Sequence, residues 1–585
     1  MLSPDQIDQA GDAVAAIYSQ IEAEMLDHLV GQLVSGESLD RQSVTTMALL
    51  TAEQTRELEK IVERHRPAVA EAVYSSAAVA LAASDRDDIR RAGGEPAFMS
   101  ALESTVQGIA EILERDNLQM IEGAKRAFLT ASTKAITKVN AGMETTETAL
   151  HKAVRELERD GVSVITYQNS KTGTVTVQNR VDVAVRRHVR TQIAQDSARM
   201  TLDRLEKMDV ALVEVSSHED ARPSHATWQG RVYSLHGDLR MEDGTFYPDF
   251  YSSTNYGAVD GLLGANCRHS FGPYRHGAPR SYEPDPKHAS GLPSDEVYEM
   301  TQQQRYLERQ IRAAKRELRG AQQVHDEQGT IASRVEVAKA QERLKRAQAD
   351  MRDHISRNNA KSETGAPVLH RNKNREWAGD MPKSPSAKGS GRNLDEFLHM
   401  ESVQASFNAK GITMGAAEKV IRSDLDGMGI TGADFKYLTA AEQRDLISTG
   451  TFHYRARTAS TVNNRISPQK QNAHVVGTKE HERYLERIAR HNAAVEETGN
   501  GRRKSHQSDL RITHAEAAEL VKQHAGKGST EYTRDGKWTK QETCNAGSTV
   551  GVYYDMDNNP HETQWFKIMY ANRNTHIVPV KEPRQ

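Results

Sequence analysis

Apolar residues recur at steps of three and four through the front of the chain. In AGDAVAAIYSQIEAEMLDHLV, the positions Val14, Ile17, Ile21, Met25 and Leu29 fall on one helical face. Thr51 and Gln54 stand at capping-box spacing ahead of the next helical stretch, and MIEGAKRAFLTASTKAITKV continues the pattern. Residues 1–160 therefore read as an Ala-lined helical bundle with no visible chemistry. The step then changes to two. Val162–Tyr167 and Thr174–Val177 flank the turn-rich Asn169–Gly173, which predicts a hairpin. A basic helix follows in VAVRRHVRTQIAQDSARMTLDRLEKM. Further on, Leu307, Ile311, Ala314, Leu318 and Ala321 step 4-3-4-3, a heptad seam. A Gly within Asp326–Thr330 breaks the seam, and Ile331, Val335, Ala338, Leu344, Ala347 and Met351 resume it. That predicts a helical hairpin packed on itself or on a neighbouring subunit.

Aromatic residues locate the remaining parts. Only five occur in the first 200 residues, against nine from Trp228 to Tyr274 and seven from Tyr532 to Tyr570. Aromatics favour sheets and compact cores. The predicted order is a helical region over 1–210, a loop-rich β module over 211–280, the helical hairpin over 281–357, a flexible linker over 358–393, a short helical segment over 394–457 and an α+β domain over 458–585. The linker reads from the Pro, Gly and Ser of NNAKSETGAPVLHRNKNREWAGDMPKSPSAKGSGRN. In the last part, helical stretches precede the strand-like STVGVYYD, TQWFKIMYA and THIVPVK. The fold class is thus multidomain, mainly α at the front and α+β at the end.

Composition narrows the function. The chain has 585 residues, 77 Lys+Arg against 80 Asp+Glu, and two cysteines. A balanced charge gives no basic coat for nucleic acid, and two cysteines make no disulfide scaffold. The N-terminus lacks the basic and apolar regions of a signal peptide, and no run of 18 apolar residues is present. A soluble protein of a reducing compartment, without a membrane segment, is expected.

Two constellations carry chemistry. His218-x6-His225 and Cys267-x-His269 are two pairs of metal-competent residues inside the loop-rich module. They can close a tetrahedral structural zinc site, or the histidines can bond backbone groups while Cys267 is simply buried. Around them, SSHEDARPSHATWQG, GLLGANCRHSFGPY and HG resemble the phage minor capsid protein 2 family, related to Mu F-like head morphogenesis proteins. The resemblance covers roughly residues 1–280. It implies a virion protein of the phage head, made in the host bacterial cytoplasm and placed near the portal, with portal and major capsid proteins as partners.

The second constellation is C-terminal. SPQKQNAHVVGT, HAGKGS, VGVYYD and FKIMYANRNTHIVPVK resemble the polymorphic toxin type 50 domain over about residues 465–583. The resemblance implies a small nuclease of the barnase/EndoU/colicin/RelE-like kind, RNA as substrate, an immunity protein as partner and no cofactor. One departure is Met569, where the family motif runs closer to KIHYS, so that position supplies no acid or base. The residues also read on their own. RNA cleavage through the 2′-OH needs a base, an acid and cations for the developing charge. His474 and His576 suit the proton roles. Lys567, Tyr570 and Thr575 can meet phosphate or base, and Gly526, Lys527 and Gly528 can admit a phosphate to backbone N–H groups. His481, His491, His506 and His514 read as polar helical faces. Three functions stay open here: a virion component carrying a ribonuclease, a purely structural capsid protein with an inactive toxin-like end, and a metallo-hydrolase built on the zinc-like module.

Overall fold

The computed structural model describes residues 1–35, 44–168, 172, 174–381, 389–461, 464–504, 506–534, 538–555, 557–571, 573 and 575–583. The chain divides into two compact units, Met1–Ser384 and Pro385–Gln585.

The first unit opens with α1 (Pro4–Gln9), α2 (Asp12–Ser35), α3 (Val44–Ala92), α4 (Phe98–Asn140) and α5 (Thr146–Asp160). The three-four spacing of α2 places Val14, Ile21, Met25 and Leu29 in the core, with Ile17 partly buried beside them. The expected hairpin is β1 (Ser163–Gln168) and β2 (Val175–Arg180), paired antiparallel with Ser163 opposite Arg180. Its turn, read at Asn169–Gly173, lies outside the described residues apart from Thr172. The basic helix is α6 (Val181–Lys207), which packs on α2, α3 and α4. Among the described residues, the Glu53–Ala92 part of α3 is long and apolar enough to cross a membrane by length and composition alone.

The aromatic module comprises β3 (Leu212–Val215), α7 (Pro223–Ala226), β4 (Val232–Ser234), β5 (Leu239–Arg240), β6 (Phe246–Tyr247), α8 (Phe250–Thr254) and β7 (Phe271–Tyr274). β3 is the central strand between β4 and β7, both antiparallel to it. Val213, Val215, Phe250 and Phe271 share one hydrophobic core with Leu81 of α3 and Val189 of α6. Three strands of three or four residues bury too little surface alone, so this module is built onto the helices.

The helical hairpin is α9 (Ser294–Gln328) and α10 (Ile331–Asn359), turned by Gly329 at φ 61° and capped by Thr330. Leu307, Ile311 and Met351 meet in one layer of the seam, and Leu318, Val337 and Ala340 in another. The hairpin also docks within its own chain. Arg316 donates to the Glu158 carbonyl oxygen at 2.9 Å, and Arg319 pairs with Asp27 at 2.7 Å. α9 and α5 cross closely at Gly320, where a Cβ would lie 2.6 Å from Cγ of Glu158. The Glu158 carboxyl is fully buried there, and burial pushes its pKa up to about 8.

The linker reading over 358–393 is too long. Val368 and Leu369 pack on Leu292, Val297 and Met300. Asn359 accepts from both of their amides, and Arg371 forms a two-pronged pair with buried Glu376. Two apolar residues with a place in a core anchor this polar stretch. Residues 382–388 lie outside the described residues.

The second unit begins with α11 (Leu394–Leu398), α12 (Glu401–Ala409), α13 (Met414–Gly427), α14 (Ala440–Ser448) and α15 (Gly450–Thr461). The capping box read at Thr439 and Glu442 starts α14. Then come α16 (Pro468–Asn472), α17 (Lys479–Thr498), β8 (Asp509–Leu510), α18 (His514–His524), β9 (Ser529–Tyr532), β10 (Trp538–Asn545), β11 (Gly551–Tyr554), β12 (Pro560–Thr563), β13 (Trp565–Met569) and β14 (His576–Pro579). The strands form two antiparallel sheets, ordered β14-β13-β10-β9 and β12-β11-β8. Phe566, Ile568 and Ile577 pack with Ala517 and Val521 of α18. Tyr454 of α15 joins the same core, and the Arg457 guanidinium lies 5.1 Å over the Trp538 ring. The α+β part therefore uses α15 as one of its own helices.

Candidate functional site

The sheet β14-β13-β10-β9 sets one candidate site. Met569 lies opposite His576, Lys567 opposite Val578 and Thr543 opposite Lys567. Directly opposed residues share a face, so His576, Met569, Lys567 and Thr543 line the face away from the Phe566–Ile568–Ile577 core. His474 arrives from the turn after α16, more than a hundred positions earlier. Its N–H donates to the Gln471 carbonyl at 2.9 Å, and its own carbonyl accepts from Leu510 at 2.6 Å. This turn stacks its ring on His576 with centroids 5.3 Å apart and planes 19° off parallel.

The two rings differ in setting. His474 is buried and His576 half-buried. Burial, and then the nearby charge of His576, pull the His474 pKa down to about 4. At neutral pH its imidazole is uncharged, with a lone pair free to accept a hydrogen bond. Gln507 places its amide against the His474 ring. Behind it, His481 lies 2.8 Å from Asp509, and the Tyr554 hydroxyl donates to the other Asp509 oxygen at 2.7 Å. The His506 ring sits 4.1 Å from that of Tyr554.

The pattern puts His481 and His506 on polar helical faces, whereas His481 is buried and His506 lies outside any helix. His481 is in the first turn of α17, after the Thr478 cap, and that turn faces β8. His506 lies in the loop before β8. Cap position was the signal that could have placed His481 against the sheet.

The remaining expected residues group elsewhere. The Tyr570 hydroxyl donates to Glu542 at 2.5 Å, and that burial beside a carboxylate pushes its pKa strongly up. The N–H groups of Gly526 and Gly528 donate to the same carboxylate at 3.0 and 2.6 Å. This loop thus cradles an internal anion, the buried Glu542 on the core face of β10, and only the Lys527 side chain stays exposed. Thr575 is buried, closing a turn through its hydroxyl to both the N–H and the carbonyl of Ala571. Lys567 is ion-paired with Glu531 at 2.6 Å. Of the residues expected to act together, the structure unites His474 and His576 and sets Lys567 on their face.

In the first unit, His225, Cys267 and His269 offer ligand atoms that all lie within 4.8 Å of one another, and all three are buried. α7 carries His225. The segment around Gly264 delivers Cys267. A Cβ at Gly264 would lie 2.2 Å from the Ala258 carbonyl, and Leu263 and Asn266 both take positive φ, so the loop is tightly coiled.

Hydrogen bonds fix the tautomers. Nε2 of His225 lies 2.9 Å from the Asp260 carbonyl, which can only accept. Nε2 of His269 lies 2.9 Å from Oε1 of Gln229, an oxygen that also accepts the His218 N–H. Both Nε2 atoms therefore carry the proton, and both Nδ1 lone pairs point inward, 3.3 Å apart. Cys267 Sγ is 3.6 Å from Nδ1 of His269. Burial lowers the pKa of His225 to about 4 and that of His269 well below its usual value, so a proton is a poor filler of this gap. Two imidazole nitrogens and a thiol facing one point suit zinc. His218, the expected fourth ligand, stacks on His269 at 4.4 Å but turns its Nδ1 to Asp220 at 2.9 Å. It is outside the ligand group because that carboxylate holds it.

A family model described as Phage minor capsid protein 2 matches residues 2–356, and one described as Bacterial toxin 50 matches residues 466–579. No curated protein matches the chain. No solved structure matches it either.

Proposed function

The chain belongs to the phage minor capsid protein 2 family, and from that premise we propose that it sits near the portal of the phage head and carries a ribonuclease at its C-terminal end. Membership makes it a virion-associated protein with a bacterial toxin domain appended. The finer reading rests chiefly on one observation, the stacking of His474 on His576 inside the toxin-matched residues. In this reading His474, neutral at pH 7, takes the proton of the RNA 2′-OH. His576, on the more open side, gives a proton to the leaving 5′-oxygen. Gln507 holds the His474 ring, and the His481–Asp509–Tyr554 set orients the strand beneath it. Lys567 meets the phosphate once it leaves Glu531. A cognate immunity protein would cover this face.

The inactive-module reading has two observations in its favour: Lys567 is already paired with Glu531, and Met569 stands opposite His576. Expression of residues 385–585, which keeps α15, separates the two. Growth arrest with RNA decay supports the nuclease, and a folded protein that leaves RNA intact supports the structural reading. For placement, residues 1–384 should co-purify with particles and residues 385–585 alone should not.

We propose also that zinc binds His225, Cys267 and His269. Bound there, it would staple α7 to the loop before β7 and hold the Cys267 thiol as thiolate. Three protein ligands leave one position open, and the burial of all three is what supports a structural role. The metallo-hydrolase reading has no further support from the geometry.

A further inference from the structure

A cavity of about 290 Å³ lies in the first unit, with His218 and His225 in its lining. That volume is at the lower end of ligand cavities, about 300–1,000 Å³. Its walls come from segments far apart in sequence: α1, the first half of α6, the loop carrying Cys267, the first half of α9 and the stretch around Arg375. Nine of the lining residues are arginines, and three carry carboxylates: Asp8, Asp220 and Glu308. Converging this many guanidinium groups on one small space costs energy unless an anion completes it.

Internal partners answer only part of that charge. Asp8 pairs with Arg190 at 3.0 Å and with Arg375, Asp12 with Arg186 at 2.7 Å, Asp182 with Arg312 at 3.3 Å, and Glu308 with Arg305 at 3.1 Å. Asp220 holds Arg268. Arg187 and Arg309 form no ion pair among the described residues. Arg190 is more than nine-tenths buried, yet its Nε makes no hydrogen bond, and neither does Nε of Arg375. Burial, opposed by Asp8 and reinforced by Arg268, Arg375 and Arg186, draws the Arg190 pKa down to about 10.

We propose that this cavity binds a compact polyanion bearing two or three linked phosphate groups. Planar guanidinium forks match phosphate oxygens two at a time. Linked phosphates supply several negative charges in a space this small, which a single carboxylate does not. A double helix is too wide to enter, so a free polyphosphate or nucleoside polyphosphate is the ligand class. The site is independent of the nuclease reading, since every lining residue lies in the first unit.

The test is calorimetric titration of the full chain with sodium tripolyphosphate at physiological salt. Saturable binding near one equivalent is expected, with a rise in the melting temperature. Arg187→Gln with Arg309→Gln should weaken binding by about tenfold or more, because charge-assisted hydrogen bonds are lost. Arg309→Glu alone, at an exposed position, checks the same site in a protein whose folding circular dichroism confirms. A DNA duplex at equal phosphate concentration should leave the bound tripolyphosphate in place. No binding by the folded wild type, unchanged affinity in both variants, or full displacement by the duplex would each overturn the proposal.

Discussion

Each unit brings histidines together from distant parts of the sequence, and the surroundings give the two groups opposite characters. Around His225 and His269, carbonyl oxygens hold both Nε2 protons outward, so the bare Nδ1 atoms face one another beside a thiol. That arrangement suits a cation and is buried. Around His474 and His576 the rings stack face to face at a sheet edge, one buried and one half-open. That arrangement can exchange protons with a substrate. The difference teaches that a histidine pair is read from what its second nitrogen touches and from which side stays open, rather than from spacing.

The largest expected effect lies in the open pair. His474→Ala or His576→Ala in residues 385–585 should lower RNA cleavage by about 10²–10⁴-fold with the melting temperature little changed. Activity assays beside thermal melts check this. If either variant keeps full activity, the pair is not the proton-transfer couple.

The closed group should respond to metal removal and the open pair should not. In the full chain, EDTA is expected to strip about one equivalent of zinc and destabilise the first unit while RNA cleavage persists. Cys267→Ser should lose most of the zinc by metal analysis. Cleavage that vanishes with EDTA and returns with added metal would erase the contrast.

Glu542 sharpens the comparison from a third side, as a buried anion served by two backbone N–H groups and the Tyr570 hydroxyl. Glu542→Ala should cost about 3 kcal/mol or more by leaving those donors unpaired, measured by urea unfolding. A loss under about 1 kcal/mol would show that water takes over these bonds.

The smallest effect is in pH. His474 is held at about 4 against a usual 6.5, so the unfolded chain binds its proton first. Its contribution to stability should be intact above pH 6.5 and fade as pH falls toward 4. The charged groups around it are His576, His481 and Asp509; the Ser508 carbonyl and then Asp509 oppose the shift. His474→Gln should flatten the stability profile of residues 385–585 in that window, and an unchanged slope would assign the acid sensitivity elsewhere.

Much of the fold was legible because it rests on periodicity. The seam of α9 and α10, the β1–β2 hairpin and the strands around Val552, Ile568 and Ile577 all follow from spacing. Strands β9 and β10 were not legible, since TKQETCN carries Lys, Gln and Glu where a core strand usually carries apolar residues. Glu542 is buried there only because three donors from other segments meet it. The stretch around Val368 read as linker because two apolar residues in a polar run give no period. In the candidate sites, His474, His576, His225, Cys267 and His269 were visible as residue types in motifs. Asp509, Gln507 and His481 were not, because their roles depend on β8 pairing beside α17.

The proposed cleavage of RNA by His474 and His576 is tested at its products. Purified residues 385–585 in EDTA, incubated with a defined RNA, should yield fragments ending in 2′,3′-cyclic phosphate, as attack by the 2′-OH requires. The same preparation carrying His576→Ala should yield essentially none. A folded wild-type protein that leaves the RNA intact, or that produces 3′-hydroxyl ends, would contradict a role for this histidine pair in 2′-OH attack.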